Sequence, residues 1–389
     1  MHLDWRFWAF VLWMGVWLRV TPIRRTTAFG LANAIALIVL GGPKVAIAGL
    51  AAATTLWVLL WFAVKGPGVA AWIARRLAYL IPVVLFFAYK AAGDWPGLRS
   101  WMAGAEPLPR FHELLVALSF SYAALRCVDA ARCVIGNGAR LLDPVGLTGY
   151  LFPFHMLLAG PIAAYDQHVK LDGVKPVVES PDEILWAVND VSTGLIYKHV
   201  CAEYLRVFLF GLDARLGSQS LADTALLFVY LFFDFAGYSR IAQGAGTWMG
   251  VPTPRNFRAP FAARNVTDFF TRWHVSLGGW VQRNMYVPLQ LRLVRRFGVR
   301  RALWLALLTL IVCWLFIGLW HRLSWRFAIY GVTFAAVVWL EKTILDRRWV
   351  RPSKAGTAKA WVRRALGMTY VFVTVTMMLH IVMNELLKP

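Results

Sequence analysis

Residues Ala302–His321 read ALWLALLTLIVCWLFIGLWH, an apolar run with no charged side chain before its final imidazole. About 20 such residues carry an α-helix across a bilayer. The runs Trp5 to Val20, Val45 to Val64, Leu77 to Ala92 and Phe327 to Leu340 are nearly charge-free too. None shows the alternation over ~10 residues that marks a membrane β-barrel. Backbone in lipid must be satisfied internally, so these runs are helices.

The whole chain agrees with that reading. It has 389 residues, 59% hydrophobic and 16% charged, with mean hydropathy +0.57. A soluble domain carries about 25% charged residues. Trp5 to Val20 follows no basic segment and precedes no small-residue cleavage site, so it is expected to be a retained first helix. Twenty tryptophans fit a protein with many helix ends at membrane interfaces.

The net charge is +21, from 41 basic and 20 acidic residues. The basic residues cluster between the apolar runs: Arg19, Arg24 and Arg25; Lys65, Arg75 and Arg76; Arg292 to Arg301; Arg347 to Arg364. That is the positive-inside pattern of cytoplasmic loops rather than a nucleic-acid stripe. Such a face also attracts an anionic donor or an acidic carrier protein. Cys127, Cys133, Cys201 and Cys313 lie in apolar sequence without a C-x-x-C pair, as buried free thiols do.

The expected fold class is all-α: a polytopic integral membrane protein with about ten to twelve membrane segments. A helix over Trp5–Val20 is followed by a hairpin over Phe29–Leu40 and Val45–Val64, turned by Gly41-Gly42-Pro43. Leu77–Ala92 runs outward, the Gly- and Pro-rich Gly93 to His112 lies outside, and Leu114–Cys133 returns. Val145–Ala163 is interrupted at Pro153 and Gly160-Pro161. Asp166 to Ser192 reads as a loop plus an amphipathic helix. Leu195–Leu212 and Leu221–Phe233 follow, the latter ending at Asp234. Gly and Pro residues from Gly237 to Phe261 predict broken or re-entrant structure lining a cavity. Ala302–His321 runs outward, Trp325–Leu345 returns and Ala365–Leu387 leaves again.

Three stretches carry candidate chemistry. In Asp268 to Leu289, helical spacing puts Trp273, Leu277, Trp280 and Val281 on one face, and His274 looks onto Gly278. In Phe316 to Trp325, His321 ends an apolar run beside Trp320. An ionisable residue there is costly and a functional candidate, although a histidine at a helix end also caps carbonyls. An unperturbed imidazole can take a proton near neutral pH and return it. In Phe232 to Ser239, Asp234 stands among three phenylalanines. Such a carboxylate is either functional or structurally paired, for instance with Arg206 or Arg240. No metal-ligand spacing surrounds either histidine, and no G-x-S-x-G or Walker-type loop occurs.

Taken together, these stretches resemble the membrane-bound O-acyltransferase (MBOAT) family, in particular its bacterial alginate O-acetylation and teichoic-acid D-alanylation branch. That branch has a Y-F-D-F-x-G-Y-S-like stretch, then N-F-x-x-P-Y, F-W-x-R-W-H-x-S-L and G-L-W-H-G. Here Phe232–Ser239, Asn256–Phe261, Phe269–Leu277 and Gly318–His321 follow in the same order. Leu158 to Ile162 resembles the branch's apolar A-G-P stretch. The resemblance covers about residues 114–340 as a core, with peripheral helices at 1–113 and 341–389, in a single domain over 1–389. Arg322 stands where the branch has Gly, and Gly278-Gly279 where Ser-Thr is commoner.

The resemblance implies a funnel or tunnel through a bacterial inner membrane, and transfer of an acyl group, acetyl foremost. The donor would be a cytosolic acyl-CoA or acyl-carrier-protein thioester, and the acceptor a hydroxyl of an envelope or exported glycan. No tightly bound cofactor, metal or nucleic acid is implied. His321 matches the catalytic histidine and His274 the second polar position. Trp273, Trp320, Asp234, Asn256, Ser276, Arg322 and Tyr238 are candidates for lining the substrate path. Membrane lipids and an extracytoplasmic acyltransferase are the implied partners. The alternatives are acylation of a lipid, small metabolite or peptide by the same machinery, or a non-enzymatic transporter or scaffold.

Overall fold

The computed structural model describes residues 5–95, 113, 115–116, 118–173, 181–210, 220–345 and 358–386. Most of the expected outer loop over Gly93 to His112 falls outside these residues, as do Arg347, Arg348, Arg351 and Lys354. The described residues are helical, with one isolated antiparallel bridge between Phe257 and Trp273. They group into two compact units, Met1–Leu195 with Tyr238–Pro254, and Ile196–Gly237 with Arg255–Pro389.

The first unit opens with α1 (Trp5–Val20), α2 (Arg25–Gly41), α3 (Pro43–Lys65) and α4 (Gly68–Asp94). Phe7, Val11, Met14 and Leu18 recur at helical spacing along α1 and are buried. They pack with Phe29, Ala32 and Ala36 of α2 and with Phe154. The hairpin turns at Gly42, whose φ of +88° suits glycine, and Pro43 starts α3. The unit continues through α5 (Phe120–Ala131), α6 (Pro144–Leu151) and α7 (Pro181–Leu195). Cys127 and Cys133 are buried here.

The interruption expected at Pro153 and Gly160-Pro161 is present, and buried polar side chains satisfy it. Asn33 donates to the Phe152 carbonyl at 3.1 Å and accepts from the Phe154 N–H at 2.7 Å. Arg126, only 1% exposed, donates to the carbonyls of Leu151, Met156 and Pro161. Broken backbone at membrane depth requires partners of this kind.

One expectation fails. The helix α9 (Leu221–Met249), which follows α8 (Glu203–Phe210), does not end at Asp234 but runs through Gly237, Gly244 and Gly246. The break begins only at Gly250, where φ is +65°. Gly244 is not a breaker but a contact point, since a Cβ there would sit 2.6 Å from the Ala187 carbonyl oxygen.

The second unit contains α8, the first part of α9, α10 (Val266–Phe270), α11 (Val275–Val281), α12 (Val287–Phe297), α13 (Ala302–His321), α14 (Trp325–Leu340) and α15 (Ala358–Leu386). Its core joins Phe228, Phe269, Trp314, Phe327, Phe334, Val371 and Val375. The protein is a multi-pass membrane protein. Among the described residues five helices are long and apolar enough to cross the bilayer: Pro43–Lys65, Gly68–Asp94, Leu221–Met249, Val299–His321 and Ala360–Met383, with Arg25–Gly41 a shorter apolar helix.

Candidate active site

Both histidines belong to the second unit. The expected continuous helix over Asp268 to Leu289 is instead two helices with a turn between them, so Trp273 does not share a helix face with Leu277 and Trp280. Asn265 caps α10, accepting from the Asp268 N–H at 2.6 Å. A second acceptor comes from far along the chain. The Glu341 carboxylate takes the Val266 N–H at 2.7 Å and the Thr267 N–H and hydroxyl at 2.8 Å each. Glu341 is 5% exposed, and an anion at a helix N-terminus is favourable. The sequence reading passed over Glu341; its one signal was a lone acid ending an apolar run.

After α10 the chain pairs with an earlier segment. The bridge between Phe257 and Trp273 is flanked by Arg258 N–H to the Arg272 carbonyl at 2.9 Å and Val275 N–H to the Asn256 carbonyl at 3.0 Å. Between these bonds His274 adopts the left-handed conformation, φ 47° and ψ 49°. A non-glycine residue there is strained, and such strain persists only where surroundings enforce it. The enforcing contacts are visible. Asn256, fully buried, accepts from the Ser276 hydroxyl at 2.6 Å and N–H at 3.3 Å. The His274 carbonyl accepts from Leu277 and Gly278 and starts α11.

The imidazole of His274 is therefore aimed by backbone geometry. The Phe235 ring meets it edge-on at 4.7 Å. Its Nε2 is buried without a hydrogen-bond partner among the described residues. His274 lies outside the five spanning helices. Burial first, and the nearby His321 second, pull its pKa down to about 3, so it is neutral at pH 7.

His321 closes α13. The residue is exposed, and its ring lies 4.8 Å from the Trp320 ring and 6.3 Å from Phe327. The Trp320 ring also lies 6.4 Å from His274. The two histidines and Trp320 thus form one cluster. The end of α13 is fixed by close packing on α14. A Cβ on Gly318 would collide with the Phe327 carbonyl oxygen, and one on Gly331 with the Trp314 carbonyl oxygen. Gly278 presents open space, with only the Phe270 carbonyl oxygen near, at 3.7 Å from a Cβ placed there.

The other candidates divide. Trp273 is walled by Phe228, Phe257 and Phe269 at 5.5, 5.0 and 5.4 Å. Arg322 closes α13 through its N–H on the Gly318 carbonyl. Asp234 is not paired with Arg206, which binds Glu203, or Arg240, which binds Asp190; its partner is Lys198, at 2.5 Å. That pair stabilises little, because both side chains are partly exposed. Tyr238 belongs to the first unit, where its hydroxyl accepts from the Leu158 N–H and donates to the His155 carbonyl. It braces the A-G-P stretch. Among the described residues no group of three potential metal ligands occurs.

Residues 137–387 match the sequence model of the membrane-bound O-acyltransferase family. The chain is 25% identical over 287 residues to the teichoic acid D-alanyltransferase of Bacillus subtilis, covering 68% of this chain and 70% of the relative. It is 28% identical over 305 residues to a protein of Azotobacter vinelandii named probable alginate O-acetylase AlgI, covering 72% and 57%. It is 34% identical over 184 residues to the peptidoglycan O-acetyltransferase of Helicobacter pylori, covering 46% and 34%. The chain therefore spans little more than half of the Azotobacter relative and a third of the Helicobacter one. With the His274 and His321 stretches both inside the matched region, the chain belongs to the membrane-bound O-acyltransferase family.

Proposed function

We propose that this chain is an O-acyltransferase of the bacterial inner membrane. It moves an acyl group, acetyl foremost, from a cytosolic acyl-CoA or acyl-carrier-protein thioester to a hydroxyl of an envelope or exported glycan. The observation that carries the reading is the His274–Trp320–His321 cluster, with one imidazole buried and the other exposed. The names of the relatives, acting on alginate, peptidoglycan and teichoic acid, support a glycan-type acceptor. A second, extracytoplasmic acyltransferase is the expected partner.

The chemistry divides between the two rings. His321 removes the acceptor hydroxyl's proton as its oxygen attacks the thioester carbonyl. A C–O bond forms, and the carbonyl oxygen becomes an oxyanion. His274, held neutral, donates through Nε2–H to that oxygen, as a neutral imidazole can. The C–S bond then breaks, and the protonated His321 returns its proton to the leaving thiolate. General-base catalysis of this kind is worth about 10²–10⁴-fold.

The test compares the host bacterium with and without the gene. Envelope glycan is treated with mild alkali, and the released acyl groups are counted. Loss of ester-linked acetyl on deletion, restored by complementation, is expected. Unchanged acyl content contradicts the proposal.

A further inference from the structure

The first unit carries a feature that acyl transfer does not use. A cavity of about 480 Å³ opens where α3 ends, lined by Arg24, Trp57, Trp61, Lys65, Arg140 and Asp143 among others. Its volume is in the range of small-molecule sites. Three of those side chains are cationic and one is anionic.

The anion is already satisfied. Asp143 accepts from the Thr27 hydroxyl at 2.6 Å and from the Gly146 N–H at 2.9 Å, where it caps α6. Arg140 is paired with Asp172. Arg24 and Lys65, by contrast, form no ion pair among the described residues. The unmet charge facing the cavity is therefore positive.

The position sets the ligand's other half. Lys65 is the last residue of a 23-residue apolar helix long enough to span the bilayer. Trp61 and Trp57 lie about one and two turns before it, and Trp61 is 41% exposed. Tryptophans at that level mark the membrane–water boundary. The basic residues lie on the side that the positive-inside pattern assigns to the cytoplasm, where anionic lipids concentrate. A wholly soluble anion would have no use for the exposed indole and the apolar Val64 beside the charges.

We propose that this cavity holds the headgroup of an anionic phospholipid, its phosphate on Arg24 and Lys65 and its glycerol and acyl chains along Trp61. The site is independent of the acyl-transfer reading. It anchors the ends of α2 and α3 to the lipid composition of one leaflet.

The test is thermal unfolding of the full-length protein in neutral detergent, titrated with phosphatidylglycerol, phosphatidylcholine or inorganic phosphate. The wild type is expected to be stabilised by phosphatidylglycerol and by neither of the others. Each basic residue at an anionic surface is worth about fivefold in affinity, so R24Q/K65Q is expected to bind phosphatidylglycerol about 30-fold more weakly. R24K/K65R, which keeps both charges, and R295Q/R296Q, on the exposed α12, are expected to respond like the wild type. An unchanged response in R24Q/K65Q, or its loss in R295Q/R296Q alone, places the lipid elsewhere and overturns the proposal. Equal stabilisation by phosphatidylcholine overturns the anionic headgroup, and equal stabilisation by phosphate overturns the lipid.

Discussion

The side-chain oxygen of Asn256 and the hydroxyl of Ser276 meet at 2.6 Å across the turn that holds His274 left-handed. Two motifs that lie apart in the sequence are thereby locked together, and the lock sits directly behind a candidate catalytic ring.

Asn256→Ala should leave the buried Ser276 hydroxyl and the first turn of α11 without their acceptor. A buried polar group stripped of its partner costs about 1–3 kcal/mol. The melting temperature should fall, and kcat should fall with little change in KM. Ser276→Ala should be milder, because the Ser276 N–H keeps its bond to Asn256. Equal and negligible effects on melting and kcat in both variants would remove the clamp from the mechanism.

His274 must satisfy both a backbone and a chemical demand. Asparagine tolerates the left-handed region and carries an N–H donor, whereas a β-branched residue does neither. His274→Asn should fold like the wild type and keep part of the activity. His274→Gly should also fold but lose about 10²–10³ in kcat, the usual value of one oxyanion donor. His274→Val should lose stability as well. Full activity in His274→Gly would show that the ring does not act.

Gly318 lies within the stretch that ends at His321, and its Cβ position is occupied by the Phe327 carbonyl. Gly318→Ala should force α13 and α14 apart. Overpacking of this kind costs about 1–3 kcal/mol. Melting temperature and activity should drop together. A variant with wild-type melting would show that the helices do not approach this closely.

Asp172 supplies a pH dependence in the first unit. Burial by itself raises its pKa, but the Thr26 N–H and hydroxyl and the Arg140 guanidinium outweigh that and hold the carboxyl below its usual range. The unfolded carboxyl titrates near ~3.9. The ionised form's contribution is thus complete above that value and is lost as the pH falls through the lower folded value. Melting followed from pH 6 down to pH 3 should fall more steeply in the wild type than in Asp172→Asn. Parallel curves would contradict the assignment.

Much of this architecture was legible in the sequence. Trp5–Val20 and Ala302–His321 begin and end as the apolar runs do, because charge and helix breakers mark their limits locally. The motif order also pointed to both histidines. What escaped depends on remote partners. Trp273, Leu277 and Trp280 have helical spacing, yet the chain breaks at His274 because Phe257 and Asn256, from the preceding loop, pair with Trp273 and Val275 on either side of it. Gly244 reads as a break until Ala187 is packed against it. Asp234 offered several cations, and only the fold selects Lys198. Sequence put both His274 and His321 in or beside apolar stretches, and only the fold distinguishes the buried His274 from the exposed His321.

The central claim is that His321 is the base. The direct measurement is ester-linked acyl content of the envelope glycan in cells whose only copy of the chain is His321→Ala, with membrane level and melting temperature of the purified variant measured alongside. His321 is exposed at the end of α13, with its ring against Trp320 and Phe327, and the melting temperature separates loss of chemistry from loss of that packing. Acylation should fall about 10²–10⁴-fold while membrane level and melting stay at wild-type values. Acylation at the wild-type level in that variant would contradict the mechanism.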